Sequence, residues 1–175
     1  MVSWKGAVVL VAILAALGVY LLATRPQPAP AAAALVPCDV VKAVYFRVQS
    51  PSRTIELQRS SPTALWQLTQ PPEGEANQDA ATTVVNALDV LKVENTISSP
   101  QAASVYGLDP PRELVSCRLG DGSSYNLSVG SQSFDGSGYY AQKGGDHRVY
   151  VVGSVAIQQF DQTLAQPPVK PTASP

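Results

Sequence analysis

One histidine, His147, and two cysteines, Cys38 and Cys117, limit the chemistry this chain can do alone. With a single histidine, neither a two-histidine metal site nor a histidine-based nucleophile relay can be assembled within one chain. His147 sits beside an expected hairpin turn and reads as a solvated side chain. Two cysteines are too few for a structural zinc site and admit two readings. Outside the cytoplasm Cys38 and Cys117 could join as a disulfide. Alternatively, Cys117 is a small buried hydrophobe on the strand face it shares with Val115 and Leu119.

The acidic residues are equally spare. Asp135-Gly136-Ser137-Gly138, with Asp121 and Asp146 in other loops, has the residue types of a calcium loop. One acidic residue per turn does not reproduce EF-hand ligand spacing, however, and Gly, Asp and Ser are what any tight turn requires. Asn126-Leu127-Ser128 fits a glycosylation sequon inside an expected strand. There is no GxSxG elbow, phosphate loop or Rossmann glycine pattern, so no catalytic residue, metal or cofactor is expected. An enzyme would need dispersed carboxylates that only the fold could pair. Tyr139, Tyr140 and Tyr150 remain, on paired strands where they could pack or form a recognition surface.

The elements that must position these residues are legible from periodicity. Val40–Val48 is β-branched and aromatic, with Val44, Phe46 and Val48 on one face and Ala43, Tyr45 and Arg47 on the other. Thr54–Arg59 alternates after the turn at Ser50-Pro51-Ser52, which predicts a hairpin. Leu65–Thr69 is a third short strand with Trp66 and Leu68 on one face. A helix is predicted from Asn77 or Asp79 to Lys92, since Ala81, Val84, Val85, Leu88 and Leu91 recur at helical spacing. Val93–Ile97 follows as a strand. Ser99-Pro100 opens a short helix that Gly107 ends in a left-handed stop.

Hairpins then dominate: Arg112–Leu119 with the return through Tyr125, Leu127 and Val129, and Gly138–Lys143 with His147–Val152, turned at Gly144-Gly145. A last helix from Ser154 carries Val155, Ile157, Phe160 and Leu164. The fold class is α+β: antiparallel hairpins with one long and one C-terminal helix packed on the sheet.

Residues 6–23 contain no charge and are bounded by Lys5 and Arg25, with Trp4 and Tyr20 near the ends. At 1.5 Å per residue they reach about 27 Å, the thickness of a hydrocarbon core. The run exceeds a signal-peptide core, and Pro26, Pro28 and Pro30 separate it from the small residues at 31–34, so it reads as an uncleaved anchor in the lipid bilayer. Lys5 and the amino terminus lean the short segment 1–5 toward the cytoplasm, placing the folded domain outside it. Residues 24–37 read as a Pro/Ala-rich spacer, 38–164 as the α+β domain, and 165–175 as a disordered tail. Lys plus Arg number 12 against 13 Asp plus Glu, with no like-charge run, which argues against nucleic acid as a partner.

Several segments resemble a known family. Val84-Val85-Asn86-Ala87-Leu88, Tyr106-Gly107-Leu108-Asp109-Pro110-Pro111, Asp135-Gly136-Ser137-Gly138-Tyr139-Tyr140 and Val149-Tyr150-Val151-Val152 occur in that order, preceded by Leu65-Trp66-Gln67-Leu68. Together they are similar to the bacterial membrane-anchored domain-of-unknown-function family 4340. The resemblance implies one N-terminal span and an extracytoplasmic domain, in some members found with ABC-type export systems of the gliding-motility kind. It implies no catalytic or ligand residue. The expected function is therefore a membrane-anchored, non-enzymatic extracytoplasmic interaction domain, an accessory of an envelope ABC-type transport complex with a membrane-protein partner. The alternatives are a binding module for a small envelope molecule or glycan using exposed aromatics, and a hydrolase using dispersed carboxylates.

Overall fold

A computed structural model describes residues 34–70 and 72–171. The expected anchor at 6–23 and most of the spacer lie outside the described residues. No helix among the described residues is long and apolar enough to cross a membrane.

Nine strands form one sheet: β1 (Ala43–Gln49), β2 (Thr54–Gln58), β3 (Gln67–Leu68), β4 (Gly74–Glu75), β5 (Val93–Ile97), β6 (Glu113–Leu119), β7 (Ser124–Gln132), β8 (Gly138–Lys143) and β9 (Val149–Gly153). Their order is β4-β3-β2-β1-β6-β7-β8-β9-β5. Every pairing is antiparallel, as the hairpin-rich sequence predicts. Two helices, α1 (Gln78–Asp89) and α2 (Ser154–Ala165), complete an α+β fold.

The core forms where the alternating faces meet the helices. Phe46 and Val48 of β1, Ile55 and Leu57 of β2, Val115 and Cys117 of β6, and Leu127 and Val129 of β7 join one apolar cluster with both helices. Helix α1 contributes Ala81, Val84, Val85 and Leu88, the stripe read from its period. Asn77 caps it by accepting a hydrogen bond from the Ala80 N–H, satisfying one of the free donors of the first turn. Helix α2 contributes Ile157, Phe160 and Leu164, and the Phe160 ring sits 6.3 Å from that of Phe46. The opposite face is polar around Tyr45, Arg47, Glu56, Ser116 and Arg118, which the register sets side by side. A second, small apolar cluster of Tyr106, Leu108 and Val149 covers that face near β9.

Several local expectations are corrected. The pairing of β1 with β6 slips between Ala43 and Tyr45, and this bulge turns Ala43 into the core while Val44 is only half-buried. Val155 faces outward, 81 % exposed, because the face of α2 that meets the sheet is set by Ile157, Phe160 and Leu164. Gly153, not Ser154, occupies the N-cap of α2, and the short helix before Gly107 is a 3-10 turn confined to Ala103–Tyr106.

Both flanks of the domain also extend beyond their expected limits. Leu35 and Val36 are buried in the main cluster, so the fold takes up the apolar end of the spacer. Past α2, where the composition predicts an unstructured tail, the chain docks along β4. The Asn77 N–H donates to the Pro168 carbonyl, the Lys170 N–H donates to the Glu75 carbonyl, and Val169 bridges Ala76. This covers one edge of the sheet; the other edge, β5, pairs only with β9.

Candidate functional site

Ionisable side chains from three separate elements meet at the C-terminal end of α2. Glu113 opens β6 on the same face as Val115 and Cys117, so the strand's alternation directs a carboxyl into the core. It is only 1 % exposed, and its Oε2 has no hydrogen-bond partner among the described residues. Arg112, whose backbone N–H donates to the Val129 carbonyl, places its Nη2 3.6 Å from Glu113 Oε1. The same Nη2 donates to Asp161 Oδ1 of α2, while the guanidinium lies 5.1 Å from the centre of the Tyr139 ring.

Arg53 enters from the turn between β1 and β2. That turn is closed by the Ser50 N–H donating to the Arg53 carbonyl and the Arg53 N–H donating to Ser50 Oγ. Arg53 Nη1 then donates to the carbonyls of Leu164, at 2.6 Å, and Ala165, at 3.2 Å. A cation on the last carbonyls of a helix complements its dipole, so this contact fixes both the helix end and the guanidinium. Between these groups opens a cleft of about 480 Å³, lined by Ser50, Ser52, Arg53, Arg112, Glu113 and Asp161 among others.

Burial holds Glu113 far from ordinary carboxylate behaviour. Desolvation, reinforced by the Asp161 carboxylate and only partly offset by Arg112, pushes its pKa up to about 8. At neutral pH the site therefore combines a neutral acid, a carboxylate and two guanidinium groups. It can bind polar groups through the guanidinium donors that these contacts leave over. Two carboxyl groups in one cleft are the minimum for carboxylate hydrolysis chemistry, but the nearby Ser50 and Ser52 hydroxyls have no histidine beside them. His147 lies exposed in the connection between β8 and β9.

The residues singled out from sequence are distributed elsewhere. Cys38 and Cys117 are joined, with sulfur atoms 1.99 Å apart and Cα atoms 6.1 Å apart. Tyr139, Tyr140 and Tyr150 do not form one surface. Tyr139 and Tyr150 pack toward the main core, while Tyr140 lies on the other face against Tyr106, with ring centres 5.0 Å apart. Tyr150 is buried, and its hydroxyl donates to Asp146 Oδ2 at 2.6 Å.

Asp135 is a turn residue: it accepts from Ser133 Oγ, Ser137 Oγ and the Ser137 N–H, which hold its pKa at about 2. Asp146 is likewise held below the usual range, first by Arg148 and then by Tyr150. No group of three or more potential metal ligands occurs among the described residues.

The sequence reading missed Arg53, Arg112, Glu113 and Asp161. One signal was present: carrying the alternation of Val115, Cys117 and Leu119 back two residues places Glu113 on the core face. A charged residue at an inward position invites a search for partners.

A second concavity lies at the other end of α2. A groove of about 440 Å³ runs between the two helices, lined by Ala87, Val90, Lys92, Val155, Ala156 and Gln159 among others. Val90 is 65 % exposed, and the Lys92–Glu94 ion pair, at 3.0 Å, lies beside the groove where β5 begins.

Residues 66–166 match the model of a family described as "Domain of unknown function (DUF4340)". No curated protein and no solved structure matches.

Proposed function

The chain belongs to the DUF4340 family, and from that membership and the geometry above we propose that it is a membrane-anchored, non-enzymatic interaction domain acting outside the cytoplasm. On this reading it is an accessory subunit that docks on a membrane-protein complex, an envelope transport system being the setting that the family resemblance implies. The observation that carries the reading is the exposed apolar groove between α1 and α2, beside the sheet edge that no strand among the described residues covers. Exposed valines at a concave surface lose apolar area to water when a partner docks, and a free strand edge adds unpaired backbone groups for it to bond. The Cys38–Cys117 disulfide suits an oxidising compartment.

The test is recovery of the full chain in mild detergent, with a photo-crosslinking residue placed at Val155. A stoichiometric partner crosslinked at that position, and lost when Val90→Glu is added on the opposite wall of the groove, is the expected result. Recovery only as an unassociated monomer overturns the reading.

A further inference from the structure

We propose that the cleft between Arg53 and Arg112 is a binding site for a monoanionic carboxylate. Two guanidinium groups from distant parts of the chain line the same opening, and each has donors to spare. Among the described residues Arg53 uses only Nη1 for its side-chain hydrogen bonds, and Arg112 uses only Nη2. Both are held in place by these bonds, so little side-chain freedom is lost when a ligand arrives. The planar fork of a guanidinium matches the two oxygens of a carboxylate.

Local charge selects the class of anion. Arg53 and Arg112 each contribute a positive charge, Asp161 a negative one, and Glu113 none at neutral pH because burial keeps it protonated. The resulting excess of about one positive charge suits a monoanion better than a phosphate dianion. Glu113 adds a buried carboxyl, incompletely hydrogen-bonded, at the margin of the same cleft. Its charged neighbours are Arg112 at the start of β6 and Asp161 on α2. Arg53 from the β1–β2 turn lines the same cleft, and the ring of Tyr139 of β8 lies against the Arg112 guanidinium. Ionising Glu113 cancels the excess charge, so carboxylate binding must weaken as pH rises through about 8.

The carboxylate could come from a small organic acid or from the C-terminus of a peptide. The proposal concerns a different surface from the apolar groove and stands or falls apart from it.

Isothermal titration and NMR shift mapping on the full chain in detergent micelles test it. The probes are acetate, a tripeptide with a free C-terminus, its amidated form and inorganic phosphate. Saturable shifts at Arg53 and Arg112 with the first two probes and none with the amide are expected; tighter binding of the tripeptide than of acetate identifies a chain terminus, and the reverse a small acid. Binding should weaken about tenfold in Arg53→Gln and Arg112→Gln, and about tenfold between pH 6.5 and 9 in the parent chain, with little pH dependence in Glu113→Gln. Should Arg112→Gln fail to fold, Arg53→Gln decides, since Arg53 lies on an exposed turn. Shifts no larger than those from chloride at equal ionic strength, tighter binding of phosphate than of acetate, or full binding by Arg53→Gln overturns the proposal.

Discussion

Glu113 is a carboxyl that the fold keeps protonated, and its effect on stability has a definite sign. Its unperturbed pKa is 4.5, and in the folded state it is about 8. Below the lower value both states hold the proton, so pH has no leverage through this group. Between the two values the folded chain keeps a proton that the unfolded chain has released, and stability falls as pH rises. Thermal melts should show the midpoint declining from about pH 5 to about pH 8 and levelling above it. Glu113→Gln should flatten that slope and melt higher than the parent at pH 8; an unchanged slope would show that another group controls it. Asp135 works in the opposite direction. Its lowered pKa favours the folded state above the ordinary carboxylate range, and that contribution is lost in acid. Asp135 was legible as a turn residue because its partners lie within two residues. The Arg53 cleft was not, because its hydrogen bonds join positions more than a hundred residues apart.

The elements hold together where backbones approach without side chains between them. Gly107 ends the 3-10 turn at φ +66° and lies against Gly130 of β7. A Cβ on Gly130 would fall 2.1 Å from the Tyr106 carbonyl oxygen, and one on Gly107 2.8 Å from the Ser131 nitrogen. Neither obstacle is a side chain that could swing away. Gly130→Ala should therefore cost more than about 2 kcal/mol in denaturant unfolding, and Gly107→Ala about 1–3 kcal/mol, with the small cluster of Tyr106, Leu108 and Val149 the first region to lose protection from hydrogen exchange. A loss below 0.5 kcal/mol in both, on the order of an ordinary surface change, would contradict this contact. Gly107 was readable as a helix stop, since a left-handed residue after a short turn is a local matter. Its contact with β7 was not, and neither was the β1 bulge: both depend on which strands become neighbours. Alternation read correctly wherever pairing was regular, as from Val115 to Leu119, and failed at Val44, where one extra residue interrupts it.

At the scale of the molecule, one covalent link and one docked terminus close the fold. The Cys38–Cys117 bond spans 79 positions of sequence. Closing a loop of that length restricts the unfolded chain strongly, so reduction, or a double Cys→Ser replacement, should lower unfolding free energy by about 2–5 kcal/mol. Denaturant unfolding with and without a thiol reductant measures it; equal midpoints would mean that the bond does not stabilise the fold. The tail from Gln166 to Lys170 covers the β4 edge, so among the described residues the sheet is closed at one side and open at β5. Pro-rich composition hid this, because a segment without periodicity can still dock through its backbone, here the Pro168 carbonyl and the Lys170 N–H.

The disulfide also determines how the molecule bears load. Cys117 lies on β6, the middle strand across the sheet, and Cys38 lies ahead of β1, just after the buried Leu35 and Val36. Tension applied to the two ends of the chain passes from Cys38 through the sulfur bridge into that central strand and on toward α2. The chain from β1 to β5, with α1, lies inside the loop that this bond closes, so its backbone carries no force once the sheet has come apart. In the unravelled chain the bond is a short tether, and only its reduction then releases roughly 270 Å of slack at about 3.5 Å per residue.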